Sequence, residues 1–180
     1  MSGTTHTALI GLRGSGKSTL GRAVARLLSL NFIDLDDATP DVLGEANAAD
    51  ALRRHGEPAF RLAEMQALRT VLQEGRAPAL IALGGGSPTA PGFEACAVEH
   101  KLRLIYLRCA PATLRSRLQA TDTATRPSLT GRGTLDEIDA VFAKRDPAYV
   151  ELAHDVVECD DLSEASLVER LAQMLAGPTG

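Results

Sequence analysis

The segment Gly11-Leu12-Arg13-Gly14-Ser15-Gly16-Lys17-Ser18 has the spacing G-x-x-x-x-G-K-[ST], and it joins a short β-favouring apolar run, Thr7 to Ile10, to an amphipathic run, Thr19 to Leu30. No other feature restricts the fold as strongly. Such a loop works only where a strand passes directly into a helix. The glycines let successive backbone N–H groups curl around an anion, and the helix N-terminus adds its partial positive charge. Lys17 can then reach the β- and γ-phosphates, and the Ser18 hydroxyl can ligate Mg²⁺. Gly14, Ser15, Gly16, Lys17, Ser18 and Thr19 are the candidate nucleotide contacts.

The rest of the chain repeats the alternation. Asn31 to Asp36, Ala79 to Leu83, Leu102 to Leu107 and His154 to Glu158 read as four further strands. Leu20, Val24, Leu27 and Leu28 recur at helical spacing, as do Leu62, Met65, Leu68 and Leu72, and Leu167, Leu171 and Leu175. Strands alternating with amphipathic helices predict βαβ units, hence a parallel sheet covered on both faces. No repeat or linker divides the 180 residues, so one domain is expected. Residues 120–134 are polar, rich in Thr and Gly, and carry Arg126, Pro127 and Arg132 without apolar periodicity. They read as a mobile surface loop.

Composition narrows the partners. With 19 Lys+Arg against 23 Asp+Glu the formal charge is −4, which leaves no basic excess to attract a nucleic-acid backbone or an anionic membrane. Aromatics make up 3% of residues, too few for a base-stacking platform. No apolar run reaches the roughly 20 residues of a membrane span, and Met1 to Thr7 lacks the pattern of a signal peptide, so a cytoplasmic location is expected. Cys96, Cys109 and Cys159 are odd in number and far apart, which argues against a disulfide framework or a zinc site and for buried thiols.

Three later features bear on chemistry. Asp34 and Asp36 fall two apart at the end of the second predicted strand, which places both carboxylates on one face, suited to a metal and a substrate hydroxyl. A solvated acidic turn or a helix cap is the alternative. Gly84-Gly85-Gly86 follows the third strand and either lets backbone amides approach a ligand or forms a tight turn. Arg61, after Gly56-Glu57-Pro58-Ala59-Phe60, and Arg145, in Arg145-Asp146-Pro147-Ala148-Tyr149, are each either anion contacts or ordinary surface residues.

Taken together and in this order, the phosphate loop, D-x-D, G-E-x-x-F-R, G-G-G, the Arg126-Pro127 pair and R-x-P-x-Y resemble the shikimate kinase family from about Leu9 to Ala153. The resemblance implies a three-layer α/β/α kinase with a central five-stranded parallel sheet, a substrate-binding subregion at 36–62 and a mobile lid at 118–134. It implies Mg²⁺-dependent transfer of the ATP γ-phosphoryl group to the 3-hydroxyl of shikimate, a step toward chorismate and the aromatic amino acids. Residue by residue, it assigns Lys17 and Ser18 to nucleotide and magnesium, Asp34 to the metal, and Asp36 to the shikimate hydroxyls. Arg61 and Arg145 clamp the substrate carboxylate, while Phe60, Gly84, Gly85 and Gly86 line its site. Arg126 reaches the phosphates from the lid, and Arg117 matches the arginine that stacks on adenine.

The chain departs from the family pattern at Thr39-Pro40, where Ile-Glu is usual, and over Ala46 to Leu52, which carries one extra residue and places Leu52 near a position where Phe is common. Pro40 is expected to disturb a helix start or mark its first turn. A gluconate-type kinase and a non-catalytic shikimate-kinase-like protein are the alternatives, whereas a GTPase would need an N-K-x-D sequence that the chain lacks. A monomer acting on ATP and shikimate, with no nucleic-acid or membrane partner, is expected.

Overall fold

The computed structural model describes residues 6–74, 77–120 and 137–177. Five short strands, β1 (Thr7–Ile10), β2 (Asn31–Asp34), β3 (Ala79–Ala82), β4 (Arg103–Arg108) and β5 (Asp155–Glu158), form one sheet in the order β2-β3-β1-β4-β5. Every pairing is parallel. The helices are α1 (Lys17–Leu28), α2 (Leu35–Val42), α3 (Ala48–Glu74), α4 (Phe93–Glu99), α5 (Pro111–Ala120), α6 (Ile138–Leu152) and α7 (Glu164–Ala176). All four residues of β1 and of β3 are buried, which requires cover on both faces, the condition of a doubly wound parallel sheet. The predicted α/β/α architecture and its five strands are therefore present.

Several local expectations change. The second strand ends at Asp34, not Asp36, because the Asp34 carboxylate accepts the Asp36 N–H at 3.2 Å and caps α2. A side-chain acceptor at this point satisfies an otherwise orphaned helix N–H, so helix begins where alternation predicted two more strand residues. Pro40 neither disturbs a helix start nor marks the first turn: it lies inside α2, two residues before its end. There its missing N–H removes only one backbone bond, and the chain turns out of the helix at Gly44, with φ of 69°. Leu27 and Leu62 do not join the core; they are 61% and 72% exposed. On α1 the buried stripe is Leu20, Gly21, Val24 and Ala25, and on α3 it runs through Phe60, Ala63, Glu64, Ala67 and Leu68. α3 is itself two helical segments joined at Gly56, whose φ of 78° breaks the helix just before Pro58.

One polar network fixes α6 against the sheet. Tyr106 on β4, fully buried, donates to Asp146 Oδ1 at 2.9 Å, and Arg108 grips both oxygens of the same carboxylate at 2.8 and 2.9 Å. The Tyr106 ring also meets the Tyr149 ring edge-on, with centroids 5.4 Å apart. Arg108 hydrogen bonding holds the Asp146 carboxyl below its ordinary value of 3.8, burial opposes this, and the Tyr106 hydroxyl adds to the lowering.

A depressed carboxylate stabilises the fold above its unfolded pKa and loses that contribution as pH falls through the lower, folded value. The stability difference between the native chain and Asp146→Asn, from urea unfolding, should therefore be constant above about pH 5 and shrink progressively below about pH 4. A difference independent of pH down to about pH 2 would show that the network carries no charge-dependent stability.

Candidate active site

The carboxyl ends of β1, β2 and β3 deliver the phosphate loop, Asp34 and Gly84 to one edge of the sheet, the edge where open α/β folds bind ligands. Gly14 and Gly16 take φ of 86° and 93°, the left-handed region that only glycine enters without strain, and Gly16 caps α1. The first turn of α1 contains no acidic residue, so the positive end of the helix faces the cleft uncompensated by its own carboxylates. Lys17 folds back along the loop, donating to the Gly11 and Leu12 carbonyls at 2.8 and 3.1 Å. Ser15 is fully buried and its hydroxyl has no hydrogen-bond partner among the described residues. Its side chain packs toward Gly11, leaving its backbone as the part that belongs to the loop.

A cleft of about 950 Å³ runs from this loop across the sheet edge. Gly14, Gly16, Lys17, Ser18, Thr19 and Arg117 line one end; Asp34 and Asp36 lie on its wall; Phe60, Arg61, Gly84, Gly85, Gly86 and Arg145 line the other end. Leu52 lies in the same wall as Phe60, in the region where the chain departs from the family pattern. Of the predicted site residues, Ser15 is not in the lining, and Arg126 lies outside the described residues, as does most of the predicted lid.

Asp34 and Asp36 both reach the cleft, but not as two side chains on one face of a strand. Asp34 ends β2 and caps the helix that carries Asp36 in its first turn, so the helix-cap reading accounts for their backbone geometry. The second Asp34 oxygen faces Arg22 at 3.4 Å.

Arg61 is held before any ligand arrives. Its guanidinium donates to Glu64 Oε2 at 2.5 Å and to Glu57 Oε1 at 3.2 Å, and it lies 5.8 Å from the Phe60 ring centroid. Burial disfavours its charge, but the Glu64 and Glu57 carboxylates outweigh that and push its pKa up. Glu64, 1% exposed, accepts a second hydrogen bond from Ser87 at 3.1 Å. Burial raises the Glu64 carboxyl, Arg61 pulls it back, and the nearby Asp36 charge raises it again. Sequence reasoning overlooked Glu64 and Ser87. A glutamate three residues after Arg61, inside an otherwise apolar helical stripe, is the signal that could have found the first.

The triple glycine is fitted to these charges. A Cβ on Gly84 would sit 2.1 Å from Glu64 Oε1, and one on Gly86 would sit 2.5 Å from the Arg61 guanidinium carbon, so neither position admits a side chain without displacing the arginine pair. Between them the Gly85 carbonyl accepts from Arg145 at 2.7 Å and from the Tyr149 hydroxyl. Arg145 and Arg61, distant in sequence, thus lie on the same three-glycine turn. Near the phosphate loop Arg117 donates to the Ser15 carbonyl at 3.4 Å and to the Cys159 carbonyl at 3.1 Å.

Comparison with known proteins agrees with this geometry. The family model for shikimate kinase matches residues 13–176. The chain is similar to "Shikimate kinase 2" of Yersinia enterocolitica, 36% identical over 170 residues, which is 93% of this chain and 94% of that protein. Its fold resembles shikimate kinase from Acinetobacter baumannii in complex with shikimate, at a TM-score of 0.83 and 25% identity, covering 96% of this chain and 93% of that one. It also resembles shikimate kinase from Bacteroides thetaiotaomicron, at a TM-score of 0.82 and 29% identity, covering 96% and 98% of the two chains. The chain belongs to the shikimate kinase family, whose members are ATP-dependent phosphotransferases.

Proposed function

We propose that this chain transfers the γ-phosphoryl group of ATP to the 3-hydroxyl of shikimate. The observation that carries the reading is the single cleft joining a phosphate loop at one end to two arginines around a glycine turn at the other. A phosphate chain and a small carboxylate can lie along it with the D-x-D carboxylates between them. Lys17 would exchange the Gly11 and Leu12 carbonyls for phosphate oxygens. Asp36 would orient the attacking hydroxyl and accept its proton, and Arg61 with Arg145 would grip the substrate carboxylate through guanidinium forks.

Mg²⁺ fits this donor set. Among the described residues no cluster of three or more His, Cys, Asp or Glu could hold a metal alone, while Ser18 and Asp34 line the cleft beside the loop. One hydroxyl and one carboxylate, completed by phosphate oxygens and water, is the coordination Mg²⁺ favours. Bound there, the ion would neutralise charge on the transferring phosphates. On the family resemblance we assign the whole chain to one kinase domain, 36–62 to the substrate subregion, and 118–134 to a lid whose Arg126 meets the phosphates. No helix of the described residues is long and apolar enough to cross a membrane. The three free cysteines suit a reducing compartment, and with them we assign the chain to the cytoplasm; on the family resemblance we take it as a monomer.

The direct test is ADP release from MgATP with shikimate, quinate or gluconate as acceptor. Shikimate should be preferred by at least about 100-fold in kcat/KM, the discrimination that buried polar contacts give. Equal turnover of gluconate would overturn the assignment. Arg61→Ala or Arg145→Ala should each weaken shikimate binding by roughly 2–5 kcal/mol while leaving the ATP KM nearly unchanged. Shikimate KM values within a factor of about two of the native chain would contradict the clamp. Asp36→Asn should lower kcat by at least about 10²-fold, whereas Asp34→Asn, whose amide oxygen still caps α2, should raise the magnesium concentration needed and leave stability nearly unchanged. Identical phenotypes would refute the division of roles.

A further inference from the structure

Cys109 follows β4 and Cys159 follows β5, and the topology sets them side by side. The last rung of the β4–β5 ladder pairs Arg108 with Glu158, and the Cys159 N–H extends it by donating to the Arg108 carbonyl at 2.9 Å. The two cysteines therefore face each other across the next rung. Neighbouring strands lie about 4.8 Å apart, inside the roughly 4.4–6.8 Å range of Cα separations that a disulfide spans. The Cys159 thiol donates to the Val157 carbonyl at 3.2 Å, and both residues are sealed from solvent, at 2% and 0% exposure.

The pair lies directly under the phosphate loop. Cys109 Sγ is 3.9 Å from the Ser15 carbonyl, and one Arg117 nitrogen donates to both, at 3.4 Å each, while another holds the Cys159 carbonyl. Arg117 also lines the cleft, and moving its guanidinium off Cys109 Sγ would open a path from the cleft to that sulfur. The environments of the two sulfurs are unequal. The neighbouring Cys159 thiol lowers the Cys109 thiol, burial opposes it, and the Arg117 and Lys17 charges help against that of Asp160. The neighbouring Cys109 and burial raise the Cys159 thiol.

We propose that Cys109 and Cys159 are an oxidation site, in which a hydroperoxide converts the pair to a disulfide that disturbs the phosphate loop and weakens nucleotide binding. The Cys109 thiolate attacks the peroxide oxygen; the O–O bond breaks, the sulfur becomes a sulfenic acid, and the departing oxygen leaves as water or alcohol after taking up a proton. The Cys159 sulfur then attacks the sulfenic sulfur, forming the S–S bond as its own proton and the hydroxyl leave as water. Two thiols are oxidised by two electrons and one peroxide is reduced. Closing the bond draws Cys109 Sγ away from Arg117 and the Ser15 carbonyl, which removes part of the floor on which the loop rests.

Cys96 is an internal control, buried in α4 away from the other two. The full-length protein, reduced and freed of reductant, is exposed to hydrogen peroxide for timed intervals and quenched with catalase. Thiols are then counted in denaturant, disulfide-linked peptides are identified by mass, and ADP binding is measured by calorimetry without acceptor. Two of the three thiols should disappear together, with Cys109 linked to Cys159 and Cys96 free. The ADP Kd should rise several-fold, and dithiothreitol should reverse both effects. Cys96→Ala should behave like the native protein, while Cys109→Ala and Cys159→Ala should form no intramolecular link. Three surviving thiols, oxygen added to Cys109 without linkage, or a linked protein with unchanged ADP affinity would each overturn the proposal. None of these measurements depends on the acceptor assigned above, so the two readings fail separately.

Discussion

Everything in this site depends on one junction, the turn by which β1 passes into α1 without a spacer. β1 is the central strand, hydrogen-bonded to β3 on one side and β4 on the other, so its carboxyl end is the one place from which both halves of the sheet can be reached. Because all five strands run parallel, their loops emerge on the same edge. Short apolar strands therefore bring together groups that the chain separates by more than a hundred positions, as it does Lys17 and Arg145.

The charged groups of the cleft already have internal partners: Lys17 has loop carbonyls, Arg61 has Glu57 and Glu64, and Arg145 has the Gly85 carbonyl. Under the proposed function a ligand anion would enter by exchange and would not have to order free side chains. The exchange keeps each cation hydrogen-bonded in both states, which lowers the entropic cost of binding. Glu64 is the fixed member of this set, because its burial and its bond from Ser87 leave it no route to solvent.

The phosphate loop, the five strands and the parallel architecture were legible because each rests on a local rule: an apolar run ended by glycine, or a helical period after it. The errors lie where two local rules compete. At Asp34 the alternation of a strand conflicts with the capping preference of aspartate, and the cap prevails: the Asp34 carboxylate accepts the Asp36 N–H and starts α2. At Leu27 and Leu62 the residue type suggested a core position, but the buried stripes run elsewhere on their helices. Glu64 was invisible to hydrophobic patterning, being a charge inside an apolar stripe whose compensating partners come from the preceding turn and from a loop after β3. The Cys109–Cys159 contact was unreadable for a further reason: it exists only because β5 lies beside β4, and spacing along the chain carries no trace of that.

The place of β1 in the sheet also governs how the chain must assemble. It precedes its partners in the chain: the rungs at Leu80 and Arg103 follow Thr7 by 73 and 96 residues, so neither side of the strand can be paired until long stretches of chain have been made. Until then a largely apolar strand with two open edges is held by nothing but local contacts with α1, which makes the early nascent chain adhesive toward other extended segments. Its folding is accordingly dominated by long loop closures, and synthesis past β4 is the point at which the central strand first gains both of its neighbours.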